Sequence, residues 1–264
     1  MIGTIKKYLS VYREFIGNSL AEATTYRLNF ILVMVMDLIF YATSLGSIDF
    51  LFQYVPKIGM WDRDHFLFFI SFMLAVDHLH MTFISENFWS FSGEIRTGKL
   101  DFVLLKPISG LFICFFRHMR PGTLLNGVVP WALLITFGSR IDFGFWSWVF
   151  LLPMVLLALA LLVAIEILIT LFGFWTVSSY GLNFLRMQFQ QLARYPDFIY
   201  SYYFRKFFTI FLPVLAVGSG PVQFLFEGGI PGMTIWALTA LILISGLIRI
   251  VWRKGLAAYE SASS

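Results

Sequence analysis

Asp37, Asp77, His80 and Glu166 stand inside long apolar stretches of this sequence, where an ionisable side chain is costly and needs a partner. Asp77-x-x-His80 places a carboxylate and an imidazole on one face of a helix, with His78 turned elsewhere and Asp37 available from the preceding apolar stretch. Two chemistries fit that spacing: a metal site or proton relay, and a hydrogen-bonded cluster that ties helices together. Two ligands on one helix do not make a metal site, so the tying role is favoured. Glu166 lies deep in the most apolar stretch, and Arg186, Arg194 or Arg205 could pair with it. A structural pairing is favoured over contact with a substrate.

Other motifs fail on inspection. Gly93-Glu94-Ile95-Arg96-Thr97-Gly98-Lys99 fits a nucleotide-binding loop until Leu100, where Ser or Thr should hold Mg²⁺. Such a loop also follows a buried strand, whereas an apolar helical stretch comes before this one. Gly218-Ser219-Gly220 is the nearest approach to an intramembrane serine protease site, yet no His follows His118. With no nucleophile and base to pair, the expectation is a protein that is not an enzyme and binds no metal or cofactor of its own.

The elements that must position these residues are membrane helices. Hydrophobic residues make up 59% of the 264, charged residues only 13%, and the mean hydropathy is +0.79, outside the range of soluble domains. The pI near 9.2 follows from topology and anionic headgroups, and no nucleic-acid partner is expected. The expected fold is all-α and polytopic, one transmembrane domain over 1–264. It has an amphipathic interfacial helix over 3–24, and six spans that begin near Leu28, Phe66, Gly110, Phe143, Tyr202 and Met233. A helix packed on the ends of the bundle would explain 3–24 equally well. Pro121 and Pro130 should bend the third span. The fifth span passes Pro213, and 218–230 should form a short hairpin in the outer leaflet.

In this layout all nineteen Lys and Arg except Lys57, Arg63 and Arg140 fall on the side that holds both termini. The positive-inside rule makes that side cytoplasmic. The N-terminus lacks the pattern of a removable signal peptide, and the single cysteine, Cys114, allows no intramolecular disulfide. Ala42 with Gly46 and Thr43 with Ser47 would let the first span approach another helix closely, in a subunit seam or in internal packing.

Gly98-Lys99-Leu100-Asp101-Phe102-Val103-Leu104-Leu105-Lys106-Pro107-Ile108-Ser109 resembles the G-x-L-D-x-x-L-L-[KR]-P-[IV] segment of bacterial permeases in the type 2 class of ATP-binding-cassette exporters. The spacing of the spans, Tyr195-Pro196 before Arg205-Lys206, and Leu212-Pro213 are also similar and extend the resemblance along nearly the whole chain. The resemblance implies an inner-membrane permease subunit working with a second permease, the same or different, with separate ATPase subunits that carry ATP and Mg²⁺, and with membrane lipids around it. It also implies a coupling helix over 93–105, with Leu100, Phe102, Leu104 and Leu105 as apolar knobs and Arg96, Lys99 and Asp101 as polar contacts to the ATPase. The few charges and many aromatics along the implied path suit an amphipathic or hydrophobic substrate. A proton-coupled secondary transporter using Asp37, Asp77, His80 and Glu166, or a noncatalytic membrane scaffold, are the alternatives.

Overall fold

A computed structural model describes residues 2–25, 27–176, 180–227 and 231–259. In chain order the helices are α1 (Ile2–Thr25), α2 (Arg27–Leu51), α3 (Arg63–Phe83), α4 (Ser85–Arg96), α5 (Leu100–Leu104) and α6 (Gly110–Phe116). They continue as α7 (Val128–Arg140), α8 (Phe145–Leu171), α9 (Tyr180–Ala193), α10 (Tyr202–Ile210), α11 (Ala216–Glu227) and α12 (Gly232–Ala258). Among the described residues five helical segments are long and apolar enough to cross a membrane: Ile31–Leu51, Arg63–Phe83, Pro121–Arg140, Phe145–Phe174 and Gly232–Ala258. The protein is an all-α polytopic membrane protein.

Helix α3 is the centre of the bundle. Asp62 starts it, accepting a hydrogen bond from the His65 backbone N–H (3.1 Å) and so satisfying one of the unpaired donors of the first turn. From Phe66 to Val76 every residue of α3 is buried, with α2, α7, α8 and α11 packed around it. Burial on all sides explains its lack of an apolar stripe.

Helix α1 packs against the bundle through one face. Tyr8, Tyr12 and Phe15 surround the Phe112 ring of α6, with centroids 4.9, 6.4 and 6.2 Å away. Tyr8 Oη also accepts from the Ser109 N–H (3.2 Å), and Ser19 Oγ accepts from the Met119 N–H (3.2 Å). Ile5, Leu9 and Leu20 remain uncovered on its outer face.

The third span differs from the single bent helix expected between Gly110 and Phe137. α6 stops at Phe116, residues 117–120 are not helical, and two short 3₁₀ turns, Pro121–Thr123 and Leu125–Gly127, lead into α7. Backbone exposed by this break would be intolerable in lipid, and neighbouring side chains and backbone satisfy it. Asn87 donates to His118 O and accepts from His118 N–H, both at 2.8 Å, while the Arg120 N–H donates to Thr82 O at 2.8 Å.

The span expected from Tyr202 onward is not a single crossing helix. Residues 202 onward form two helices of nine and twelve residues, each too short to cross, with a turn at 211–215 where Pro213 has no N–H to continue a helix. A polar stretch, 180–199, instead runs the length of the bundle. Asn183 reaches Ser92 of α4 at one end (3.4 Å), and Phe198 packs edge-on against Trp61 of the α2–α3 loop at the other (4.8 Å). After that the chain folds back: Phe208 of α10 meets Phe189 of α9 (5.8 Å), and α11 returns until Phe226 meets Trp61 (5.2 Å). The hairpin is thus α10 and α11 rather than 218–230, of which 228–230 lie outside the described residues. Arg205, counted from sequence with the termini, sits at the Trp61 end beside Asp197 (2.5 Å).

Candidate functional site

Helix α9 is polar on the inside and largely apolar on the outside, where Gln188 and Gln191 are its exposed polar residues. Its buried residues are Asn183, Arg186, Gln190 and Ala193, while Phe184, Leu185 and Met187 are exposed. In lipid this is the favourable arrangement, because polar groups find partners only within the protein. The partners are those the sequence singled out.

Glu166 is fully buried near the end of α8 and accepts from Arg186 Nη1 (3.1 Å), while its second oxygen lies 2.5 Å from His80 Nε2. Asp77 accepts from Gln190 Nε2 (3.0 Å) and from Arg194 Nε (2.8 Å). Gln190 Nε2 also lies 3.4 Å from His80 Nδ1, which joins the two carboxylates through one amide and one imidazole. A neutral His80 that donates from Nε2 to Glu166 and accepts at Nδ1 from Gln190 fits both contacts. The carboxylates of Asp77 and Glu166 then balance the guanidiniums of Arg186 and Arg194. Each guanidinium also lies over a ring, Arg186 over Phe88 (4.5 Å) and Arg194 over Phe40 (4.6 Å).

Asp37 makes its own contact outside these bonds. It is half-buried and accepts from Asn126 Nδ2 (3.1 Å), which also donates to Met34 O (3.1 Å). The hydroxyls of Thr82 and Thr123 meet at 2.6 Å in the break of the third span. Among the described residues no three His, Cys, Asp or Glu side chains gather as a metal site would need.

The segment 93–105 is not one helix. α4 ends at Arg96, Gly98 turns the chain at φ 71°, a conformation that suits glycine, and α5 begins at Leu100. Leu100 is 0% exposed and anchors α5 in the core, so it is no surface knob. Phe102 (71% exposed) and Leu105 (81%) stand clear, with Leu104 beside them. Arg96 and Lys99 are exposed and Asp101 is half-buried. Buried at the root of this segment, Glu94 pairs with Arg117.

A family model described as ABC-2 family transporter protein matches residues 13–263. The chain belongs to the ABC-2 transporter family. It is a multi-pass permease of an ABC transporter, and membership implies association with ABC ATPase subunits. No curated protein and no solved structure matches the chain.

The sequence brought forward Asp77, His80 and Glu166 in this permease, and the structure places all three in one network with Arg186 and Arg194. It missed Gln190, the residue that joins the two halves, and Asn126, the partner of Asp37. A signal for Gln190 was present: Asn183, Arg186, Gln190, Arg194 and Asp197 recur at steps of three and four, a polar stripe on one helical face.

Proposed function

We propose that the chain is the membrane half of an ATP-driven exporter in the bacterial inner membrane, with both termini on the cytoplasmic, ATPase side. The stretch 180–199 serves as the fifth of six crossings. α10 and α11 form the re-entrant hairpin of the outer leaflet. Two permeases, the same or different, assemble with two ATPase subunits that bind ATP and Mg²⁺. Closure of the ATPases is passed to the spans as a rigid-body shift.

The observation that carries this reading is the surface at α5. Phe102, Leu104 and Leu105 are exposed apolar side chains on a turn fixed to the bundle by buried Leu100 and Val103, with Arg96 and Lys99 at the rim. A rigidly anchored apolar tip with a charged rim is what a contact transmitting force to a soluble partner needs. The uncovered face of α2, with Ile31, Val35, Met36, Ile39 and Phe50, supplies a seam for the second permease. The path between the two would be mostly apolar and aromatic, which suits an amphipathic or hydrophobic substrate.

Purification of the tagged protein from native membranes in mild detergent, with intact mass of the complex, tests this reading. Two permease chains with two ATPase chains are expected. An oligomer that reproducibly lacks an ATPase would overturn it.

A further inference from the structure

Four elements meet incompletely where the third span breaks. Helix α1 is pinned beside the break by the Met119 N–H bond to Ser19 Oγ (3.2 Å), and α4 is pinned to it by Asn87 and Glu86. These bonds leave a cavity of about 460 Å³ between α1, α2, α4 and residues 118–122, within the range of small-ligand sites. Among the described residues its polar lining comes from Ser19 and Glu22 of α1, Glu86 and Ser90 of α4, and His118 and Arg120 of the break.

The lining offers both signs of charge. Arg120 Nε and Nη2 bond the same oxygen of Glu86, at 2.6 and 2.5 Å, so Nη1 and the second Glu86 oxygen remain for a ligand. Arg117 Nε donates to His118 Nε2 (3.0 Å), which puts the ring proton on Nδ1 as a further donor. Glu22 is exposed, and the ion pairs near the cavity, Arg120 with Glu86 and Arg117 with Glu94, leave its charge unbalanced among the described residues. A simple anion would meet Glu22, and a simple cation would leave the Arg120 and His118 donors unused. A group that carries both charges is matched at both ends. Apolar surface leads away from the cavity: Val33 of its wall is followed along α2, at steps of three, by Met36 (68% exposed) and Ile39 (56%).

We propose that this cavity binds the head of a zwitterionic amphiphile, with a phosphate held by Arg120 and His118 and an ammonium group held by Glu22 and the free Glu86 oxygen. The acyl chains run along Val33, Met36 and Ile39. A phospholipid with an ethanolamine head has this chemistry, and so does the same head as a free solute; the apolar track favours the lipid. Binding needs neither the ATPase nor transport, so the proposal and the exporter reading fail separately.

Full-length protein, stripped of lipid in mild detergent and titrated with defined lipids by native mass spectrometry, tests this site. Phosphatidylethanolamine should bind more tightly than phosphatidylglycerol, which has the phosphate without the ammonium, and than a cationic lipid without phosphate. Glu22→Gln keeps the shape of an exposed side chain. At unchanged melting temperature it should weaken phosphatidylethanolamine by about 5–15-fold, between the effect of a surface ion pair and that of a buried charge-assisted bond, and should not weaken phosphatidylglycerol. Ala23→Trp fills the cavity from α1 and should abolish the preference. Equal affinity of the wild type for the three lipids, or an ethanolamine preference that survives both substitutions, would overturn the proposal. Soluble glycerophosphoethanolamine at the same concentration should fail to displace the lipid; displacement would overturn the lipid assignment in favour of a free solute.

Discussion

Replacing Glu166 tests the idea that α9 is held in the bundle by its polar face. The carboxylate is 0% exposed, Arg186 is 2% exposed, and their contact is 3.1 Å. Glu166→Met removes one charge and leaves the guanidinium buried over the Phe88 ring 4.5 Å away. Breaking a buried pair from one side costs about 3–5 kcal/mol, and the Phe88 contact, already made in the native chain, returns none of it. At roughly 2–4 °C per kcal/mol for a chain of this size, the melting temperature should fall by about 6–20 °C. The double variant Glu166→Met/Arg186→Met removes both charges and should recover most of the loss, because an apolar pair can replace a buried ion pair at little cost. Thermal melting in detergent gives the magnitude, and hydrogen exchange gives the place: 180–199 should lose protection before α3 or α8. A single variant that melts within 1–2 °C of wild type, or a double variant whose loss equals the sum of the singles, would refute the view that this pair anchors the helix.

Charge reversal at exposed Lys99 or at Asp101 should leave the melting temperature and assembly nearly unchanged while separating ATP hydrolysis from transport in the complex; normal transport in both variants would remove the coupling role of this segment. Leu100→Ala should cost about 2–5 kcal/mol by thermal melting because it empties a core site, whereas Phe102→Ala, on the exposed tip, should cost under about 0.5 kcal/mol and instead weaken co-purification of the ATPase. Asp62→Ala should cost about 1 kcal/mol through loss of the α3 cap, again by melting. Burial raises the Asp62 carboxyl, but the bonds from His65 outweigh it, so it titrates below the ordinary aspartate range. Its contribution is therefore present above the unfolded pKa of about 3.9 and is lost as pH falls through the lower folded value, which a comparison of wild type and Asp62→Ala between pH 5 and pH 2 would show.

Membrane residence was legible in the sequence because it depends on a local sum. A window of about twenty apolar residues is enough to place α2, α3, α8 and α12, and the steps of three and four in α1 predict its amphipathic face without knowledge of its neighbours. Glu166 and the Asp77/His80 pair stood out by the same local test, as charges in an apolar setting. The sequence therefore told which residues needed partners.

Only the tertiary structure told which partners they had. The stretch 180–199 is too polar to be found as a span by hydropathy, because its fitness for the interior depends on Glu166, His80 and Asp77, supplied by residues that lie far away along the chain. The expected fifth span began at Tyr202, about twenty residues beyond the start of this stretch, and put Arg205 at the wrong end of the bundle. The break in the third span was hidden likewise, since Asn87 and the Thr82 carbonyl satisfy its backbone from another helix. Apolar solvation is a property each segment carries by itself, whereas satisfaction of a polar group belongs to a pair and exists only once the helices have packed.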